Sequence, residues 1–157
     1  MELIIKMTYE EKIQEAKKHN INIVYDLSKD KNIVGIYKFF YYNQNEEYCF
    51  YIGKSTNITD RLLGSSKGHI YMYLNNDFSK KVPRKIKEYL NKGYKIKVTI
   101  QEIDYRDTSF SKAAHRLALA ELQEIVKYQE MGQCQFQMPE GAGTYEEIFW
   151  EENYKLK

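Results

Sequence analysis

The chain has 157 residues, a net charge of +2, and 43% apolar against 29% charged residues, which suits one globular core with short extensions and leaves no room for two ordinary domains. No apolar run nears the roughly 18 residues of a membrane span, and Met1-Glu2-Leu3-Ile4-Ile5-Lys6 lacks both the apolar stretch and the small-residue cleavage site of a signal peptide. Two cysteines far apart in sequence, Cys49 and Cys134, read as reduced thiols rather than a disulfide scaffold, so the expectation is a cytoplasmic protein with no membrane contact.

Thr8 followed by Glu11 is a capping-box pattern, and Tyr9, Ile13 and Ala16 behind it follow helical spacing up to a break near Asn20. Ile33 to Tyr42 is rich in β-branched and aromatic residues, and after the polar turn from Asn43 to Glu47 a second such run covers Tyr48 to Ile52, the pattern of a β-hairpin. Ser55 or Thr56 then caps a helix carrying Ile58, Leu62 and Leu63, ended by Gly64. Lys67 to Asn76 has no clear period. Pro83 suits the first turn of a helix with Ile86, Tyr89 and Leu90, stopped at Gly93. Ile96, Val98, Ile100 and Ile103 alternate as a third strand, Ser111 to Tyr128 forms the longest helix, and Thr144 with Glu147 opens a short last one bearing Ile148, Phe149 and Trp150. The expected architecture is α/β in the α+β sense, a small antiparallel three-stranded sheet flanked by helices. Residues 1–157 are expected to be a single domain, with a helical extension over 1–30 and a C-terminal arm over 134–157.

Gly35-Ile36-Tyr37 and Tyr51-Ile52-Gly53 are each common in buried strands, but the run Tyr51-Ile52-Gly53-Lys54-Ser55-Thr56-Asn57-Ile58-Thr59-Asp60-Arg61 is more specific. It closely resembles the signature of the GIY-YIG endonuclease family, in which the second tripeptide leads through a polar turn and an Asn-aliphatic pair into a helix bearing an arginine. Here that arginine falls ten residues after Tyr51, the usual family interval. The resemblance covers about residues 33–133 and implies a GIY-YIG-like sheet and a hydrolase of DNA phosphodiesters.

Hydrolysis of a phosphodiester needs a deprotonated water, neutralisation of the charge that builds on phosphorus, and help for the leaving oxygen. The resemblance assigns Tyr37 as general base or water-orienting group, its pKa lowered by a neighbouring cation or a metal, and Tyr51 as a second hydroxyl beside it. Arg61 would grip the phosphate bidentately, and Lys54 would either lower a tyrosine pKa or touch phosphate. The family also implies a glutamate on a later helix holding one divalent cation, Mg2+ or Mn2+. Glu121 and Glu124 compete for that role. On a helical wheel Glu121 falls inside the apolar arc of Ala114, Leu117, Ala118, Leu122, Ile125 and Tyr128, and Glu124 at its edge, which favours Glu121. Where relatives often carry a tethering asparagine, twelve residues beyond Glu121, this chain has Gln133, with Gln135 nearby. His69 lies eight residues after Arg61 and could support the site. For both His69 and His115 a structural role fits their spacing better.

From Lys80 to Lys97 eight basic residues face one acid, a local balance of +7. Its first members, Lys80, Lys81, Arg84, Lys85 and Lys87, fall between the arginine helix and the third strand, where they can run along a DNA backbone. With no separate recognition domain, sequence reading in such a compact, restriction-type or phage-type enzyme would rest on residues 65–95, on the arm from Gln133, or on a homodimer. The partner implied is double-stranded DNA. A rival of another class, a non-catalytic DNA-binding module, predicts loss of one of Tyr37, Tyr51, Arg61 or the glutamate, and none is lost.

Overall fold

The structure, a computed structural model, describes residues 3–27, 32–139 and 141–157. A single turn of 3-10 helix at Ile4–Lys6 precedes α1 (Tyr9–Lys18) and β1 (Ile21–Val24). The hairpin β2 (Gly35–Tyr42) and β3 (Glu47–Ser55) follows, then three helices: α2 (Ile58–Leu63), α3 (His69–Leu74) and α4 (Lys81–Asn91). The chain returns to the sheet as β4 (Lys95–Glu102) and closes with α5 (Phe110–Glu130) and α6 (Thr144–Asn153). No helix among the described residues is long and apolar enough to cross a membrane.

The class is α+β, but the sheet is mixed and four-stranded, in the order β1-β4-β2-β3. Only the inner three strands are antiparallel as expected; β1 adds to the outside of β4 in parallel, Ile21 opposite Ile96 and Val24 opposite Thr99. The expected helical extension over 1–30 is therefore corrected: its second half supplies an edge strand, while positions 1–2 and 28–30 lie outside the described residues. Ile21-Asn22-Ile23-Val24 does alternate buried and exposed, yet four residues after a helix are too few for period-2 patterning to stand out.

The sheet separates two apolar clusters. On one face Tyr37, Phe39, Ile96 and Val98 pack with α1 to α4 through Ala16, Ile58, Leu62, Ile70 and Ile86. On the other, Ile36, Phe40 and Ile52 meet Leu117 of α5 and Cys134 beyond it. Cys49 and Cys134, 85 positions apart, come together there as free buried thiols with their sulfurs 3.5 Å apart. Helix starts follow local chemistry: in α1 the Thr8 hydroxyl accepts from the Glu11 amide at 3.1 Å and the Glu11 carboxylate from the Thr8 amide at 3.0 Å. Left-handed Asn20 (φ 63°) ends that segment. The last helix begins at Thr144 as expected, but its cap differs: Gly143 precedes it and the Gly143 amide donates to Glu146 rather than engaging Glu147, and no residue of α6 is buried.

Candidate functional site

Tyr37 stands in the middle of β2, only 1% exposed, with Gly53 opposite it on β3. Two side chains converge on its hydroxyl. The Arg61 Nε donates to it at 3.3 Å, and the His69 Nε2 lies 2.9 Å away. Burial and the nearby Arg61 charge push the His69 imidazole down to about 3, so it is neutral near pH 7, and its Nε2 accepts when Nδ1 carries the proton. Burial first, then the neighbouring Tyr51, hold the Tyr37 hydroxyl well above the usual tyrosine range, with Arg61 opposing more weakly. Tyr37 therefore keeps its proton and accepts from Arg61, and with the His69 proton on Nδ1 it donates to His69 Nε2. Arg61 alone therefore does not bring the Tyr37 pKa down as expected, because removing a phenolate from water costs more than one partly exposed arginine returns.

The elements around this relay fix each member. Arg61 rides on α2, whose N-cap is Asn57: the Asn57 Oδ1 accepts from the Asp60 amide at 3.1 Å. Ser55, one of the two expected caps, instead accepts from the Asn57 amide at 2.9 Å and shapes the turn before the helix. At the far end of α2 the buried Lys12 of α1 donates to the Leu63 carbonyl at 2.7 Å, satisfying a helix-end acceptor. The chain then folds back through Gly64 and Gly68, the Gly68 amide donating to the Gly64 carbonyl at 2.9 Å. A Cβ at Gly68 would stand 2.6 Å from the Gly64 nitrogen, so only glycine permits the turn that starts α3 at His69. His69, expected in a structural role, is 5% exposed and bonded to the central tyrosine, a place that suits that role as well as support of the site. The signal was the Gly64–Gly68 pair just after the arginine helix, in a segment without period.

A cleft of about 490 Å3 opens onto this relay, lined by Tyr37, Tyr51, Gly53, Lys54 and Arg61 on one side and by Glu121 and Ile125 of α5 on the other. The ring centres of Tyr37 and Tyr51 are 6.1 Å apart. The wheel argument over the glutamates needs revision, since Glu121 and Glu124 are covered alike, 19% and 18% exposed, and Leu122, expected inward, is 49% exposed. What separates the two acids is their partner. Glu124 pairs with Lys38 of β2 at 3.2 Å and is not among the residues lining the cleft, whereas Glu121 lines it opposite Lys54, 3.8 Å away.

The C-terminal arm covers the free edge of β3. Gln133, expected to tether the site, accepts from the Cys49 amide at 2.6 Å on the sheet edge and is not among the residues that line the cleft. Gln135 is exposed and bonds only to backbone carbonyls of the arm and α5. The residue that reaches the cleft is Gln137, which sequence reading missed: its Oε1 accepts from the Ile52 amide at 2.9 Å and its Nε2 donates to the Ile52 carbonyl. An irregular arm has no period from which that contact could be read. His115 stays within α5, its Nδ1 donating to the Ser111 carbonyl at 2.8 Å.

The basic stretch does not act as one stripe. Lys81 and Lys85 border a second cavity beside the cleft, Lys80 and Arg84 are exposed on the same helix, Lys87 lies 4.5 Å above the Phe78 ring, and Lys97 is spent on an ion pair with Glu47. Among the described residues no three His, Cys, Asp or Glu side chains gather as a closed metal cage requires. A single carboxylate that leaves the rest of the shell to water and phosphate oxygens is a usual way for Mg2+ to be held, and Glu121 is the carboxylate that lines the cleft. No family model matches the sequence, and no curated protein or solved structure is significantly similar to it.

Proposed function

We propose that the chain is a divalent-metal-dependent DNA endonuclease of the GIY-YIG type, compact and restriction-like, acting on double-stranded DNA. The observation that carries this reading is the Tyr37 hydroxyl held between Arg61 and neutral His69 at a cleft with Glu121 on its far wall. A core tyrosine needs one hydrogen-bond partner; here the histidine offers the phenol's proton an acceptor and the arginine adds a fixed positive charge at the cleft.

In this reading a phosphodiester enters the cleft with its non-bridging oxygens against the Arg61 guanidinium. A water attacks phosphorus, its proton passing to the Tyr37 oxygen as the Tyr37 proton passes to His69 Nε2. The P–O bond to water forms, one ester P–O bond breaks, and the leaving oxygen takes a proton from solvent. Tyr37 works here without a preformed phenolate, because the imidazole accepts what the phenol gives up. Arg61 is one of the two causes that keep His69 low, so an anion on Arg61 raises the proton affinity of the imidazole when substrate arrives. Tyr51 orients the water or phosphate. Glu121 would hold a Mg2+ or Mn2+ ion, which supplies neutralisation of the developing charge. The Lys54–Glu121 pair is long at 3.8 Å.

The test is supercoiled plasmid with and without Mg2+ or Mn2+, for the wild type, Tyr37→Phe and Glu121→Gln. Metal-dependent nicking or linearisation by the wild type, lost in both variants, is the expected result. A wild type that leaves DNA intact with every divalent metal retires the enzyme proposal.

A further inference from the structure

Beside the cleft lies a second cavity of about 250 Å3 that shares Tyr51, Gln137 and Met138 with it. Its floor is Phe50, Val82 and Tyr89, all buried, and its rim carries Phe136, 62% exposed, with Lys81 and Lys85 of α4. The two lysines hold the rim in place: Lys81 Nζ donates to the Phe136 carbonyl at 2.9 Å, and Lys85 Nζ lies 4.7 Å from the centre of the Phe136 ring. Lys85 also pairs with Glu88 at 3.4 Å, whereas Lys81 is bonded to a carbonyl rather than an acid, so the Lys81 charge is the one available to an anion. An aromatic floor, an exposed ring at the mouth and cations around it suit a flat apolar group attached to a phosphate, and the cavity falls just below the size of a site for a drug-like molecule, the scale of one heterocycle.

Two of the polar groups that line the cavity are already engaged. Both ends of the Gln137 amide are engaged by the Ile52 backbone, and Lys81 is engaged by Phe136. We propose that this cavity takes one unstacked nucleobase next to the phosphodiester in the cleft, held by stacking and without reading its identity; this rests on the nuclease reading above. The shared wall makes the geometry continuous, since a nucleotide whose phosphate sits against Arg61 has its neighbour's base beside Tyr51. Paired DNA would then have to give up one base at the site, at a cost lowest for single-stranded, mismatched or flexible steps.

The experiment separates base from backbone. Affinities are measured by fluorescence anisotropy, in EDTA so that nothing is cut, for a short oligothymidylate and for an abasic deoxyribose-phosphate oligomer of the same length. The wild type should bind the thymidylate about tenfold more tightly, the scale of one base–aromatic stack. In Phe136→Ala that preference should disappear while abasic affinity is unchanged, and Phe136→Trp should keep it; the exposed position leaves folding intact, checked by circular dichroism. Equal affinity for both oligomers in the wild type, or an undiminished preference in Phe136→Ala, overturns the proposal. Plasmid nicking is read separately: base preference without nicking retires the nuclease reading and leaves the pocket, and nicking without base preference does the reverse.

Discussion

Gly53 faces Tyr37 across the β2–β3 pair, and a Cβ at position 53 would come 2.4 Å from both Cζ and the hydroxyl oxygen of Tyr37. The glycine of the second tripeptide and the tyrosine of the first are thus one unit: the missing side chain is the space in which the phenol sits. Tyr37 is fixed on the other side by Arg61 and His69, so it has no unstrained way to retreat. Gly53→Ala should cost about 1–3 kcal/mol of stability, as overpacking does, and should abolish DNA nicking by moving the hydroxyl off its partners. Urea unfolding and plasmid nicking check the two effects; an alanine variant as stable and active as wild type would show that the close approach constrains nothing.

The His69 imidazole gives a pH prediction with a definite sign. Its folded-state value of about 3 lies below the ordinary 6.5, so the unfolded chain binds the proton first, and the stability contributed by neutral His69 is present above pH 6.5 and is lost as pH falls from there toward 3. Between pH 7.5 and 5 the loss is about 2 kcal/mol, one and a half pH units below the unfolded value. His69→Asn should be less stable at pH 7.5 but should lack this extra slope. Urea midpoints of both proteins at the two pH values decide it, since the other titrating groups cancel in the comparison; parallel losses would mean that His69 is not held neutral by the fold.

What the residues announce and what they conceal divides along physical lines. The hairpin, the arginine helix, α4, β4 and α5 are legible because each runs through a repeated apolar period or a strong turn, and Tyr37, Tyr51, Lys54, Arg61 and Glu121 all line one cleft. His69 and Gln137 are not legible, because they arrive on a glycine turn and an irregular arm where tertiary packing alone sets position. The balance of burial against Arg61 at Tyr37 is hidden for a related reason. Sequence shows which charges are near in the chain, while burial, the larger cause, belongs to the folded sheet.

Glu121 and Glu124 lie on the same helix and are equally covered, so substituting each separates cation binding from plain packing. Glu121→Gln should raise the Mg2+ concentration needed for half-maximal nicking by at least about a hundredfold, since even a supporting partner of a metal ligand is worth 10–100-fold, and the ion pair it gives up is one to a partly exposed Lys54. Glu124→Gln should behave oppositely, leaving Lys38 half-buried beside Tyr128 without its counter-charge, at a cost of about 1–3 kcal/mol once screening is allowed for. Magnesium titrations and urea unfolding of both variants check this, and a reversal of the two phenotypes would move the cation site to Glu124.

The last prediction concerns the arm that joins cleft and neighbouring cavity. Gln137 makes two bonds to the Ile52 backbone in the manner of an added strand residue, and Gln133 and Cys134 engage Cys49 one step along the same edge. Because β3 is the edge strand of the sheet, its outward amide at Ile52 has no other strand to pair with. Gln137→Ala should therefore release it to water: hydrogen exchange at the Ile52 amide should speed up more than at Cys49, which keeps the Gln133 oxygen, and overall stability should fall by about 1–3 kcal/mol. If the two amides exchange at wild-type rates in that variant, the arm is held by Cys134 and Gln133 alone. The shared wall of cleft and cavity would then be set by Tyr51 and Met138, without the glutamine.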